Sequence, residues 1–284
     1  MSGTLRRSVA WLARKLGLSR NWFYKSRRAR VRREVCEDLV VTFVREERAD
    51  NPRAGTRKVL VAIRPRLEKA GIALGRDGLN AILAKNGMLV ERRRRFTCRT
   101  TQQDPSLAPS PNLVKGLKIT APDQAVCADI TYIYTDEGFL FLSLVMDMFV
   151  RDIVGFDVAD ALTADGPLRA LGMAARTLPP GARPIHHSDR GCQYASHAFR
   201  DELDRLGWAS SMTEKLHCYE NAMAERLNGI LKGEYFLDRR FRTKEEAIRA
   251  VRDVIRIYNT RRLHEKLGYM TPAAFRAKLS ARVA

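Results

Sequence analysis

The 284-residue chain is short of acids: 32 Asp and Glu face 51 Lys and Arg, a formal net charge of +19. An excess of that size points to a polyanionic partner such as nucleic acid. Cysteine is sparse as well. The five cysteines, Cys36, Cys98, Cys127, Cys192 and Cys218, are an odd number and include no CxxC pair, which argues against a zinc cluster and against a disulfide framework and fits a reducing cytoplasm. Long apolar runs are missing. The most apolar stretch, FLFLSLVMDMFV over 139–150, falls short of the roughly 18 residues a membrane span needs, contains Asp147, and reads as a buried strand. At the start, charges interrupt the apolar residues of MSGTLRRSVAWLARKLGL, so no signal-peptide core forms. Neither a membrane nor an export route is expected.

What is present is enough apolar material, 45% of residues, for a core of ordinary size. The charge is unevenly placed: residues 1–103 hold 26 Lys and Arg against nine Asp and Glu. The N-terminal third is therefore the expected grip on nucleic acid. Residues 8–28 read as two helices around a tight turn, with an apolar stripe at Ala10, Leu12, Ala13 and Leu16, Gly17 closing the first helix and Ser19 capping the second. That is helix-turn-helix spacing, and it offers Arg20, Asn21, Lys25 and Arg27 to a DNA groove. Three more helices are expected over 35–95: one through CEDLVVTFVREER, one begun by Thr56 that Pro65 should end or kink, and one begun near Asp77. Arg92, Arg93, Arg94 and Arg95 follow, placed to ride on phosphates. Residues 99–124 are rich in Thr, Gln, Ser and Pro and lack periodicity, as a linker does. The expected domains are a helix-turn-helix at 1–33, a second helical DNA-binding region at 34–98, a linker at 99–120 and a larger domain at 121–284.

The larger domain begins with strands. AVCADITYIYT, GFLFLSLVMDMFV and DIVGFDVAD, divided by turn-length polar pieces such as DEG, read as a three-stranded meander. Helices and short strands then alternate: LRALGMAARTL, ARPIHHSD, SHAFRDELDRLG, ASSMT and NAMAERLNGILKGE. A helix over 244–261 and a short one opened by Thr271 and Pro272 complete it. An antiparallel opening followed by alternation indicates an α/β domain with a mixed sheet.

Three acids stand out in this pattern. Asp129 lies inside the first strand, where a carboxylate is costly unless it is paired or bound to a metal. Asp189 ends the strand PIHHSD, where a side chain projects from the sheet edge into the cleft that such sheets use as a site. Glu225 lies in a helix, off the face of Met223, Leu227 and Leu231. Oxygen ligands of this kind suit Mg²⁺ or Mn²⁺, and a pair of ions can hold the attacking and leaving oxygens of a phosphodiester exchange.

The second and third acids are separated by 35 residues, 190–224. With that gap the set resembles the DDE signature of the retroviral-integrase superfamily. The stretches DITYIYTDEGFLFLSLVMDMFVRDIVGFDVAD, HHSDRGCQYAS, ENAMAERLNGILKGE and YNTRRLHEKLGYMTPAAF narrow the likeness to the second reading-frame product of insertion sequence three family transposases. LARKLGLSRNWFYK and PNLVKGLKITAPDQ extend it over nearly the whole chain. Val126, Cys192 and Glu220 depart from that pattern, standing where the family commonly has Trp, Ser and Asp.

The resemblance implies an RNase H-like integrase core preceded by the all-α helix-turn-helix region, with metal-dependent DNA cleavage and strand transfer. Asp129, Asp189 and Glu225 would be its catalytic acids, holding Mg²⁺ or Mn²⁺ as two ions. It places His187, Arg190, Gly191, Gln193 and Tyr194 around Asp189. His187 and Arg190, together with Asn221, Arg226 and Lys232 on the Glu225 helix and Arg262 in the tail, are expected to meet DNA, while Tyr258 packs. The expected partners are element ends and target DNA, further copies of the chain, and an upstream reading-frame product that is usually fused to it. The expected place is the bacterial cytoplasm, at the nucleoid. A non-catalytic DNA-binding protein or repressor derived from such an enzyme is the alternative, and a plain RNase H-like nuclease a third reading.

Overall fold

A computed structural model describes residues 9–91, 109–214 and 221–281. The Arg92–Arg95 run, residues 99–108 of the expected linker, Cys98, Cys218 and Glu220 lie outside the described residues. The described chain forms two compact units, one within residues 9–49 and 55–89, the other from residues 50–54 and those after 90.

The first unit is all helix: α1 Val9–Lys15, α2 Arg20–Asp50, α3 Thr56–Lys69 and α4 Arg76–Lys85. The expected turn is present. Gly17 takes φ +64° after α1, and Ser19 Oγ accepts a hydrogen bond from the Trp22 amide at 3.0 Å. Of the expected stripe on α1, however, only Ala13 is buried. The boundary expected at 33/34 falls inside α2, which runs unbroken for 31 residues. No glycine or proline interrupts Arg20–Asp50, and the helix stops where Pro52 pushes Asn51 away from helical geometry. Proline fails to stop α3, which continues for four residues past Pro65. One lost hydrogen bond is outweighed there by burial of Ile63 and Leu67 on either side of it. Val40, Val41 and Val44 of α2 complete this core with Val59, Leu60, Leu79 and Leu83.

The second unit is built on a mixed sheet in the order β3-β2-β1-β4-β5. Its strands are β1 Ala125–Thr135, β2 Gly138–Asp147, β3 Ile153–Ala159, β4 Ile185–Ser188 and β5 Ala209–Met212. The first three are antiparallel, and β4 and β5 join β1 in parallel. A two-residue β6, Arg240–Phe241, extends β1's partnership at Tyr134 and Thr135. This is the RNase H-like arrangement. The β1–β2 turn needs Gly138, whose φ of +110° suits no other residue. Beyond β5, the edge is covered by the chain before β1: the Met212 amide donates to Pro111 O and the Leu113 amide to Ser211 Oγ. The C-terminal part of the expected linker is thus docked on the sheet, hiding an edge that would otherwise pair with other chains.

Helices cover both faces. On one side lie α5 Asp165–Thr177, α6 Cys192–Ala195 and α7 His197–Leu206. On the other lie α8 Ala222–Tyr235 and α9 Lys244–Thr260, with α10 Pro272–Ser280 against α9. The period of two in β1 assigns the faces: Val126 and Ala128 pack with α5 and α7, whereas Cys127 and Ile133 pack with α8 and α9. Asp147 ends β2 by accepting hydrogen bonds from the amides of Asp123, Phe149 and Val150. Arg276 of α10 then ties Asp123 and Asp152 together at 2.8 and 2.7 Å.

The closest helix-to-sheet approach is at Gly155 of β3, where a Cβ would stand 2.2 Å from Ala170 O and 2.8 Å from Ala174 N of α5. Both contacts are backbone, so no rotamer change relieves them. Gly155→Ala is expected to cost about 2–4 kcal/mol by overpacking. Urea unfolding followed by circular dichroism measures it, and an unchanged midpoint would contradict the packing described.

Candidate active site

The sheet register brings the first two acids together. β1 pairs with β4 in parallel as Val126 with His186 and Cys127 with His187. Two residues further along both strands, on the same face as Cys127 and His187, come Asp129 and Asp189. They line one cleft at the C-terminal end of β4, with Ile130, Tyr132, Leu162, Gly191, Gln193 and Tyr194 around them. α8 packs across the same face of β1, placing Glu225 in its first turn.

Each carboxylate in the strands is held. Asp129 Oδ1 accepts from the Ile130 amide at 2.9 Å, and Oδ2 from Asn228 Nδ2 at 2.7 Å. Asp189 Oδ1 accepts from the Gly191 amide at 3.0 Å. A Cβ on Gly191 would sit 3.0 Å from that same oxygen, so the glycine lets the chain leave β4 close against its own carboxylate. Gln193 is tethered through Nε2 to Leu162 O at 3.3 Å.

Burial, and then the charge of Asp189, push the Asp129 carboxyl up to about 7 against the pull of its two hydrogen bonds; Glu225 adds a smaller push in the same direction. Among the described residues no three His, Cys, Asp or Glu side chains stand together as a finished metal shell. The donors nevertheless fit a hard divalent cation: they are oxygens, and a positive charge between Asp129 and Asp189 would offset the burial and the Asp189 charge that raise the Asp129 pKa. Glu225 is exposed in the first turn of α8.

Asn228 is the residue that sequence reading missed. It lies three positions after Glu225, hence on the same helix face, which is the signal that would have found it. Of the residues expected to meet DNA, three are turned inward. Asn221 is 3% exposed and donates to Ala128 O at 3.1 Å, tying the start of α8 to β1. His187 is wholly buried, with Nδ1 at 2.9 Å from Ser211 Oγ of β5. Arg262 is 4% exposed and bidentate to Glu234, at 2.9 Å for each bond. Burial opposes its charge, but the bonds to Glu234 hold its pKa above the usual value. Side chains this deeply buried and turned into the fold do not face phosphate, so all three expectations are corrected.

Arg190 is half-buried and donates through Nε to Thr213 O at 2.6 Å, leaving other guanidinium donors for the cleft. Arg226 is exposed, Lys232 half-buried, and Asn21, Lys25 and Arg27 are exposed on the first turns of α2. Tyr258 packs as expected, 1% exposed in the core beneath α9. Val126, which replaces the family's Trp, faces α5 and α7, away from the side of β1 that carries Asp129. The neighbouring His186 is stacked against Tyr194 and Phe199, and burial lowers its pKa to about 3.

Comparison with known proteins agrees with this geometry. Two models described as integrase core domain match residues 119–218 and 206–272. The chain is similar to an uncharacterised 31 kDa protein of insertion element IS600 from Shigella sonnei, at 38% identity over 79% of this chain and 81% of that one. It is also similar to the transposase for insertion sequence element IS629 from the same organism, at 32% over 73% and 69%. Transposase InsF for insertion sequence IS3A from Escherichia coli K12 is 29% identical over 95% and 94%. No helix among the described residues is long and apolar enough to cross a membrane.

The raised Asp129 pKa has a consequence for stability. With a folded pKa of about 7 against a usual 3.8, the fold is favoured while the group is protonated and loses that advantage as pH rises from about 4 through 7. In EDTA, Asp129→Asn should therefore be more stable than the parent by about 1–3 kcal/mol at pH 8, with the difference vanishing near pH 4. Thermal or urea unfolding across this range checks it; a difference that does not change with pH would contradict the repulsion.

Proposed function

Because this chain belongs to the insertion sequence three family of DDE transposases, enzymes of DNA cleavage and strand transfer, we propose that Asp129, Asp189 and Glu225 are its catalytic acids. The observation that carries the assignment is the β1–β4 register, which brings Asp129 and Asp189 to one cleft, where burial and the Asp189 charge raise the Asp129 pKa. The oxygen donors would hold Mg²⁺ or Mn²⁺, as two ions. When bound, the ions supply Lewis-acid stabilisation of the attacking and leaving oxygens. The chain's own residues position that chemistry. The Ile130 amide and Asn228 orient Asp129, the Gly191 amide orients Asp189, and Glu225 closes over them from the first turn of α8.

DNA binding is assigned to the other basic residues expected to meet it. Arg190, Arg226 and Lys232 flank the acids and would meet the phosphates nearest the reaction. In the helical unit Arg20, Asn21, Lys25 and Arg27 begin α2, and Arg92–Arg95 follow α4 in sequence, so both would hold element ends. The working form is a homo-oligomer on DNA in the cytoplasm, acting on element ends and target, with the upstream reading-frame product fused to or associated with it.

A strand-transfer assay tests the reading, using labelled DNA with the element's own ends in Mg²⁺, Mn²⁺ or EDTA. Joining should require the metal and should fall by roughly 10³-fold or more in Asp189→Asn and Glu225→Gln, with DNA affinity retained. Asn228→Ala should lose roughly 10–100-fold, since it only orients a ligand. Binding without joining under any metal, even with the upstream product supplied, would overturn the assignment.

A further inference from the structure

Helix α2 carries two apolar faces, and only one of them is used inside its own unit. Val40 and Val44 are buried at 1% and 0% exposure against α3 and α4. On the opposite side Val31, Val35 and Leu39 stand 48%, 53% and 40% exposed. Four-residue spacing lines these three up on one narrow stripe, because successive residues turn by about 100°. Tyr24, 44% exposed, continues it about two turns earlier. Three branched side chains held in water on a rigid helix are a cost that a partner would remove.

Two further facts identify the partner. The stripe is centred on Val35, the midpoint of Arg20–Asp50, with 15 residues on either side. Charge is divided at the same point: residues 20–33 carry seven Lys and Arg and no acid, whereas residues 34–50 carry six Asp and Glu and two Arg. A helix that is basic in one half, acidic in the other and apolar at its centre is complementary to itself turned end for end.

We propose that α2 is a self-association surface, pairing antiparallel with α2 of a second copy about a two-fold axis at Val35. Val35 then meets Val35, and Val31 meets Leu39 of the second copy. Each basic half lies along an acidic half. A parallel pair would oppose seven cations to seven, and like charges across an interface cost several kcal/mol. At a rise of 1.5 Å per residue the helix is about 46 Å long, ample for a contact of standard size. Nucleic acid is the poorer occupant, because the stripe has no phosphate donors and its second half lies among acids that repel phosphate. The basic half exceeds the acidic half in net charge, so some cations remain for DNA after pairing. The inference does not depend on the catalytic reading, since association is measured without DNA or metal.

Sedimentation velocity of the full chain, free of DNA, should show a dimer, with Val35→Asp raising the dissociation constant at least about 30-fold and leaving the circular dichroism spectrum unchanged. Orientation is read by cross-linking in a Cys36→Ser background that itself gives no cross-link. Under oxidant Val35→Cys should join to itself, Val31→Cys should not, and Val31→Cys mixed with Leu39→Cys should. A monomer at tens of micromolar, an unaltered mass in Val35→Asp, or Val31→Cys joining to itself as readily as Val35→Cys would each overturn the proposal. So would a monomeric chain whose DNA affinity falls in Val35→Asp, which would assign the stripe to nucleic acid.

Discussion

Two carboxylates set beside each other, one inside β1 and one just past the end of β4, are the constraint around which the second unit is organised. Asp129 would be ionised in water at neutral pH, yet burial and Asp189 raise it to about 7. The surroundings are arranged to limit that cost without removing it. Ile130 and Asn228 donate to Asp129, and Gly191 donates to Asp189. Had an arginine been placed between the acids, the sheet would be more stable and the cleft would have no use for a cation. The strain is local, because the rest of β1 alternates apolar residues cleanly between two cores.

The same economy explains the polar groups on α8. Asn221, Glu225, Asn228 and Lys232 recur at helical spacing along the side that crosses β1. Asn221 fastens the helix start to Ala128 O, one residue before Asp129, and Asn228 reaches Asp129 itself. A purely apolar face would pack more favourably per unit area, but it would leave Asp129 held by the Ile130 amide alone. Further from the cleft, the Arg262–Glu234 pair and the Arg276 cluster pin the segments after α8 and α9 at places where single buried charges would otherwise be unpaired.

Much of this could be read from the sequence because its signals are local. β1 is bounded as expected at Ala125–Thr135, since alternation on one side and a two-residue turn on the other leave little freedom. The three acids emerge from residue type, element and spacing together. What was illegible depends on contacts distant in the chain. The spacing from Glu225 puts Asn228 on the right helix face, but NAMAERLNG does not say which carboxylate, 99 residues earlier, it will meet, or that Asn221 will turn inward to a strand. Arg262 and His187 look like DNA contacts because they are polar within a recognised motif, and only the fold reveals Glu234 and Ser211 as their partners. The division at residue 33 failed for a different reason. It followed a change in apparent role, from basic to apolar, whereas a helix responds only to breakers, and α2 contains none.

Charge placement joins the two units into one physical problem. Bringing phosphodiesters to a cleft that is itself acidic requires attraction elsewhere, because unscreened carboxylates repel the substrate they are to act on. The chain's +19 supplies that attraction, most of it within residues 1–49 and 55–89, the unit that does not carry the acids. Near the cleft the balance is finer. Arg190 spends one donor on Thr213 O, and Arg226 stands one residue from Glu225 on the exposed side of α8. On the proposed reading, long-range capture belongs to the helical unit, while the cations beside the acids have only to position a strand already held. A basic residue moved into the acid pair would strengthen binding at the expense of the metal that the chemistry needs, so the separation of grip from cleft follows from electrostatics rather than from convenience of folding.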